Sequence, residues 1–274
     1  MHETHCHSRY SGDVDKQKGG TIDDLCRQAV NIGLESIAVT DHLEIQQIMG
    51  NIFPPLDNEG IFKDITKAKE KYKGVLEVVY GVELAQACHD LEKTDNILAK
   101  YKYDYIIGSV HAVRGFPDFS DMEYSAVPDR ILKHAWELYV SELEELADWG
   151  NIDTLAHITY PYRYFKRHSR ENLINLFEKG REYFEPILRK IIKKGIALEV
   201  NTSGLWQDTG ISFPHNDLIM FYKELGGKMV TVGSDAHYPG DLAKCIPQTY
   251  SVLKDLGFET VITFRERKPV FHKL

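Results

Sequence analysis

Short apolar runs alternate along this chain with longer stretches in which apolar residues recur every three or four positions. The short runs, such as Ile37-Ala38-Val39 and Val78-Val79-Tyr80, are nearly continuous, as in parallel strands covered on both faces. They predict strands over residues 3–7, 36–40, 76–83, 105–111, 153–157, 196–201 and 229–233. The longer stretches read as amphipathic helices with legible ends. Thr21-Ile22-Asp23-Asp24 has the form of an N-terminal cap, and Gly33 ends that helix. A helix over 128–149 places Leu132, Ala135, Trp136, Tyr139, Leu143 and Leu146 on one face, with Gly150 beyond its end. Two more are expected, from near Asn216 to Gly226-Gly227 and from about Asp241 to Leu256, ahead of Gly257. Residues 261–264 and 269–271 look like a closing strand pair.

Alternation of this kind means an α/β fold on a parallel sheet, either open or closed into a barrel. No Pro-, Gly- or Ser-rich linker divides it, so a single domain over 1–274 is expected. The longest irregular stretches, 46–58 and 113–127, suit active-site loops.

Composition narrows the class of function. No apolar run approaches the roughly 18 to 20 residues that span a bilayer. Met1-His2-Glu3-Thr4-His5 lacks the charged and apolar regions of a signal peptide. Cys6, Cys26, Cys88 and Cys245 are far apart, as expected of reduced thiols in a cytoplasmic protein. A net charge of −8 argues against a nucleic-acid partner, because phosphate-backbone binding needs a basic surface. It leaves room for a small phosphate ester, where bound cations would supply the positive charge. Homo-oligomerisation is left open.

Histidine changes the picture most. Six of the 12 histidines sit where a strand is expected to end: His5, His7, His42, His111, His157 and His237. Glu83 ends a further strand, and Asp235 stands two residues before His237. In a (β/α) barrel all of these ends meet on the face that carries catalysis. Residues i and i+2 of a strand share a face, so His5 and His7 can share a metal while Cys6 points into the core. Any one of these histidines has an ordinary structural reading. Independent structural histidines have no reason to choose the same end of five strands, so the joint pattern reads as a metal site. Imidazole and carboxylate ligands suit Zn, Mn or Fe. His89 is read as solvated.

These residues resemble the PHP family (polymerase and histidinol phosphatase), and within it the histidinol-phosphate phosphatases. The likeness is carried by Thr4-His5-Cys6-His7-Ser8, Val39-Thr40-Asp41-His42, Gly81-Val82-Glu83, Gly108-Ser109-Val110-His111, the run from Ala197 to Leu205, and Gly233-Ser234-Asp235-Ala236-His237. It implies a distorted, TIM-like (β/α)7 barrel holding three divalent ions. The ligands it implies are His5, His7, Asp13, His42, Glu83, His111, His157, Asp235 and His237. The chain departs from the family where Asp is common at the position of Glu3 and His at that of Asp13.

The reaction implied is hydrolysis of L-histidinol phosphate, a step of histidine biosynthesis, by a metal-bridging hydroxide. Glu83 would be shared between metals, and Asp235, His237 and a metal-bound water are candidates for the proton donor to the leaving alkoxide. Arg163 is the expected phosphate contact, because a guanidinium grips two oxygens at once. Asn201 and Ser203 follow a strand end and could add polar contacts, while Asp118 and Asp121 could meet the ammonium or imidazole. The alternative is a PHP phosphoesterase for another small ester, such as phosphotyrosine or a nucleotide. A metal-dependent amidohydrolase fits less well, because no strand end offers a lysine among the ligands.

Overall fold

A computed structural model describes residues 1–45 and 55–274, so most of the expected 46–58 loop lies outside the described residues. The strands are β1 (His2–Cys6), β2 (Ser36–Val39), β3 (His42–Glu44), β4 (Glu77–Ala85), β5 (Tyr105–Ser109), β6 (Thr154–Leu155), β7 (Ala197–Asn201), β8 (Val230–Gly233), β9 (Thr260–Arg265) and β10 (Lys268–Lys273). The helices are α1 (Ile22–Asn31), α2 (Asn58–Lys71), α3 (Leu91–Lys100), α4 (Asp129–Trp149), α5 (Tyr162–Arg167), α6 (Leu176–Lys194), α7 (Ser203–Trp206), α8 (Asn216–Glu224) and α9 (Ile246–Asp255).

The chain forms a nearly closed, seven-strand parallel α/β barrel in the order β1-β2-β4-β5-β6-β7-β8, with β3 extending the ladder beside β4. Every residue of β1, β2, β5, β7 and β8 is buried, as continuous strand runs require. Closure occurs just beyond β8, where Asp235 N donates to His5 O and His7 N to Ala236 O, each at 2.8 Å. Gly233 permits this approach: a Cβ there would lie 2.3 Å from His5 Cβ. The seam therefore brings His5 and His7 beside Asp235 and His237.

Local signals set the helix ends. Thr21 and Asp24 form a reciprocal capping box at the start of α1. The buried stripe of α4 contains all six apolar residues expected there, and Gly150 ends the helix in the left-handed region at φ 74°. The helix expected from 241 begins later, at Ile246. Ala243 and Cys245 adopt φ 57° and 62°, and Ala243 N donates to Glu3 Oε2 at 2.9 Å, which fixes this stretch as a loop.

The expected closing pair is the antiparallel β9–β10 hairpin. Ile262 and Phe264 of β9 pack with Ala38, Val79, Tyr105, Ile107, Ala156 and Ala197, a second apolar cluster apart from the main core. Arg267, in the hairpin turn, donates its main-chain N–H to Asp104 O at 2.8 Å and pairs with Asp153 at 2.5 Å. Both partners precede strands, so the hairpin seals the N-terminal end of the barrel and leaves the C-terminal end open.

Candidate metal centre

The ligands implied by the sequence are drawn from the C-terminal ends of the strands. His5 lies in β1 and His7 just beyond it, His42 opens β3, and Glu83 is in β4. His111 and His157 follow β5 and β6, and Asp235 and His237 follow β8. Register explains part of the convergence: His42 pairs with Glu83, and Glu83 with Ile107 two residues before the end of β5. Cys6 points away from the centre, fully buried, with its thiol donating to Ala38 O.

Glu83 lies at the middle. Its Oε1 is 3.0 Å from His111 Nε2 and 2.9 Å from His157 Nε2. Its Oε2 is 2.9 Å from His42 Nδ1, 3.3 Å from His5 Nε2 and 3.6 Å from His7 Nε2. Asp235 Oδ1 stands 3.2 Å from His7 Nε2 and 3.8 Å from His5 Nε2. Asp13 Oδ2 approaches His237 Nε2 at 2.8 Å and His42 Nε2 at 3.3 Å, forming an outer group. Asp13 is the most open member, with its side chain 36% exposed against 0% for His5 and His7.

The donor set fits divalent cations. His5/His7/Asp235, His42/Glu83/His111 and His7/His42/His237 each present ligand atoms within 4.8 Å of one another. His5 Nε2 and Glu83 Oε2 are buried and 3.3 Å apart, yet neither makes a well-oriented hydrogen bond. Both face a common space. Buried polar atoms left this way cost free energy, which coordination would recover.

The protein's own charges are strongly coupled. Burial opposes ionisation of Glu83, but His111, His42 and His5 hold its carboxyl well below the usual range. Asp235 is likewise held down against burial, by His5 and by a hydrogen bond from His7. Burial opposes the charge on His111, yet Glu83 and Glu44 raise it to about 10. His7 goes the other way, to about 3, because burial and the neighbouring His42 and His237 all disfavour a further positive charge.

Behind these side chains lies a layer that strand-end reasoning missed. Glu44 accepts from His111 Nδ1 at 3.0 Å, and Ser11 Oγ from His7 Nδ1 at 3.0 Å. Ser11 in turn donates to Asp41, which also takes Ser8 N and Oγ. Such contacts hold an imidazole with Nε2 turned toward the centre. Asp41 precedes His42 in the motif, and that adjacency was the available signal. Glu3 is not among the ligand groups: its carboxyl accepts from Ser234 N and Oγ, Ala243 N and His5 N, fastening the loop that carries Asp235. His89, expected in solvent, has its ring buried against Glu142 at 2.6 Å.

The centre forms the floor of a cavity of about 500 Å³ whose wall includes Asp118, Tyr160, Arg163, Tyr164 and Trp206. Arg163 is 7% exposed and donates to Ser203 Oγ at 2.6 Å. Asn201 is fully buried behind it: its Oδ1 accepts from Ser203 N and Oγ, and its Nδ2 reaches Asp235 Oδ2 at 3.3 Å. Asp118 accepts from Tyr160 Oη at 2.8 Å, and burial pushes its carboxyl up. Asp121 is not in the wall of this cavity. Arg163 and Asp118 thus give one cavity a cationic and an acidic group.

Fold and site together define a parallel barrel whose open end carries His/Glu groups able to bind metal ions. The chain belongs to the PHP domain family, whose model matches residues 3–203. It is 28% identical over 98% of its length to a probable histidinol-phosphatase of Clostridium acetobutylicum, covering 95% of that protein. It is 25% identical over 96% of its length to the histidinol-phosphatase of Lactococcus lactis, covering 94% of it. The fold matches the crystal structure of the Lactococcus lactis histidinol phosphate phosphatase, complexed with zinc, L-histidinol and phosphate. That match has a TM-score of 0.82 at 24% identity and covers 98% of both chains.

Proposed function

We propose that this chain is a metal-dependent histidinol-phosphatase, hydrolysing L-histidinol phosphate to L-histidinol and phosphate. The carrying observation is the placement of Glu83 against five histidines at the floor of a cavity that also holds Arg163 and Asp118. The named relatives, matched over nearly their whole length, supply the substrate.

Three divalent ions would be held by the nine ligands. His5, His7, Glu83 and Asp235 would form one inner set, and Glu83, His111 and His157 a second. His42, His237 and Asp13 would form the outer set. Zinc is the first choice, since the Lactococcus lactis complex contains it, with Mn or Fe as the alternatives. When bound, the cations would supply Lewis acidity, lowering the pKa of water and neutralising phosphoryl charge.

The chain's own residues do the rest. Arg163, already oriented by Ser203 and by the face of Phe213, would take phosphoryl oxygens through its remaining N–H groups. Asn201 holds Ser203 and Asp235 in place rather than meeting substrate. His237 Nδ1 is fixed on Asp235 O at 2.9 Å, which turns Nε2 toward Asp13 and suits it to the outer set as a ligand. Asp118 would face the ammonium or imidazole. The enzyme would act as a cytoplasmic protein folded as one domain over 1–274, alone or as a homo-oligomer.

Phosphate release from histidinol phosphate, measured before and after chelation and metal restoration, tests the reading. Turnover that is lost on chelation and restored by zinc, manganese or iron is expected. Far faster turnover of phosphotyrosine or a nucleotide would overturn the substrate, and undiminished turnover after chelation would overturn the chemistry.

A further inference from the structure

The barrel interior holds a second carboxyl group close to the cluster. Glu199, in the middle of β7, is completely buried. Its Oε1 takes His5 Nδ1 at 2.6 Å. Its Oε2 accepts from the main-chain N of His157 at 2.9 Å and from Asn201 Nδ2 at 3.3 Å. The same Asn201 amide nitrogen reaches Asp235 Oδ2 at 3.3 Å. One side chain thus touches ligand segments from β1 and β6, and the turn after β8 through a single intermediary. Two of those segments adopt backbone conformations that side chains other than glycine resist: φ is 21° at His157 and 56° at Asp235. Glu199 bonds the first directly and the second through Asn201.

The far side of the His5 ring shows what the contact does. With a proton on Nδ1 donated to Glu199, Nε2 keeps its lone pair. That atom is buried without a hydrogen bond, 3.3 Å from Glu83 Oε2 and 3.8 Å from Asp235 Oδ1. A carboxyl behind a ligating imidazole fixes both its tautomer and its direction. The two Glu199 oxygens are engaged by separate N–H donors, which suits a support better than a ligand. A carboxyl group is also specifically required. A glutamine has one acceptor oxygen and would turn its NH2 toward either His5 Nδ1–H or His157 N–H.

We infer that Glu199 is a positioning residue for the cation cluster: it selects the His5 tautomer that turns Nε2 inward and clamps the main chain of His157. The role rests on the cluster holding divalent cations.

The test compares wild-type and Glu199→Gln protein by zinc competition with a chromophoric chelator, and follows the His5 ring by 15N NMR. In the zinc-loaded wild type the His5 proton resides on Nδ1 and exchanges slowly. Glu199→Gln is expected to fold, to keep its zinc stoichiometry at saturation, and to bind about 10- to 100-fold more weakly. The His5 Nδ1–H resonance should shift or vanish. Wild-type affinity with an unchanged His5 signal would reduce Glu199 to a structural residue. Loss of a whole equivalent of zinc at saturation would make it a ligand and overturn the positioning role. Should the variant not fold, the wild-type spectrum decides, because a proton on Nε2 of His5 excludes the role. Wild-type protein that binds no zinc, manganese or iron would overturn the cluster itself, a failure distinct from that of Glu199.

Discussion

His157 Nε2 lies 2.9 Å from Glu83 Oε1, although the residues are 74 positions apart and β5 stands between their strands. His111, just beyond β5, reaches the same oxygen at 3.0 Å. A flat sheet would hold next-but-one strands roughly 9 to 10 Å apart, so the contact depends on barrel curvature.

Removing an inner and an outer member of the proposed ligand set should have different effects. His5→Ala takes a fully buried ring from beneath the cavity, whereas His237→Ala takes one from its wall with its side chain 25% exposed. Metal analysis after dialysis should show depletion in both, with the greater loss in His5→Ala. Unchanged metal in both would sink the cluster.

Arg163→Ala should leave metal content intact and lower kcat/KM for histidinol phosphate on the order of 100-fold, the scale for losing one donor to transition-state charge. Near-wild-type kinetics would show that Arg163 only packs against Phe213 and Ser203.

Asp118→Asn tests the acidic wall. It should raise KM for histidinol phosphate by about 10-fold or more, the scale of a charged hydrogen bond. Turnover of an uncharged-alcohol ester such as glycerol phosphate should change little. Equal loss on both esters would mean that Asp118 serves only to hold Tyr160 and the 118–121 turn.

The hairpin plug is expected to matter for stability rather than chemistry. Phe264 is 4% exposed and stacks on Tyr105 with centroids 5.1 Å apart. Phe264→Ala should cost about 3 to 5 kcal/mol in denaturant unfolding. Zinc affinity of the folded variant should stay unchanged; weakened zinc binding would mean that the plug shapes the cluster.

Acid stability should depend in part on His215, which burial holds down to about 4 against the opposing charge of Asp217. Its folded pKa lies below its unfolded value near 6.5, so the folded state favours the neutral ring. The contribution is complete above pH 6.5 and is lost as pH falls through about 4, up to about 3 kcal/mol. His215→Asn keeps an N-cap residue for α8 and should flatten the stability profile over that window. Parallel profiles at equal metal load would contradict this.

Much of this protein is legible one residue at a time. Apolar runs mark the barrel strands to within two residues at either end, because a strand buried on both faces leaves almost no choice of residue. Spacing shows that His5 and His7 share a side, and strand-end position singles out Glu83, His111 and His157. Missed strand β3 carries only three residues, His42–Glu44, too few to form a pattern. The helix expected from 241 starts late because Glu3, more than 200 residues away, captures Ala243 N.

The sequence by itself determined the strand-and-helix alternation and the residue types at the strand ends, since both follow from local periodicity and side-chain chemistry. Only the tertiary structure decided which atoms meet. Closure of β1 onto the turn after β8 sets His5 and His7 against Asp235, and curvature gathers five imidazoles round Glu83. Glu199 and Glu44 look like ordinary strand residues until the barrel closes. Their meaning lies in hydrogen bonds to rings 194 and 67 residues away, and no local pattern encodes contacts at that separation.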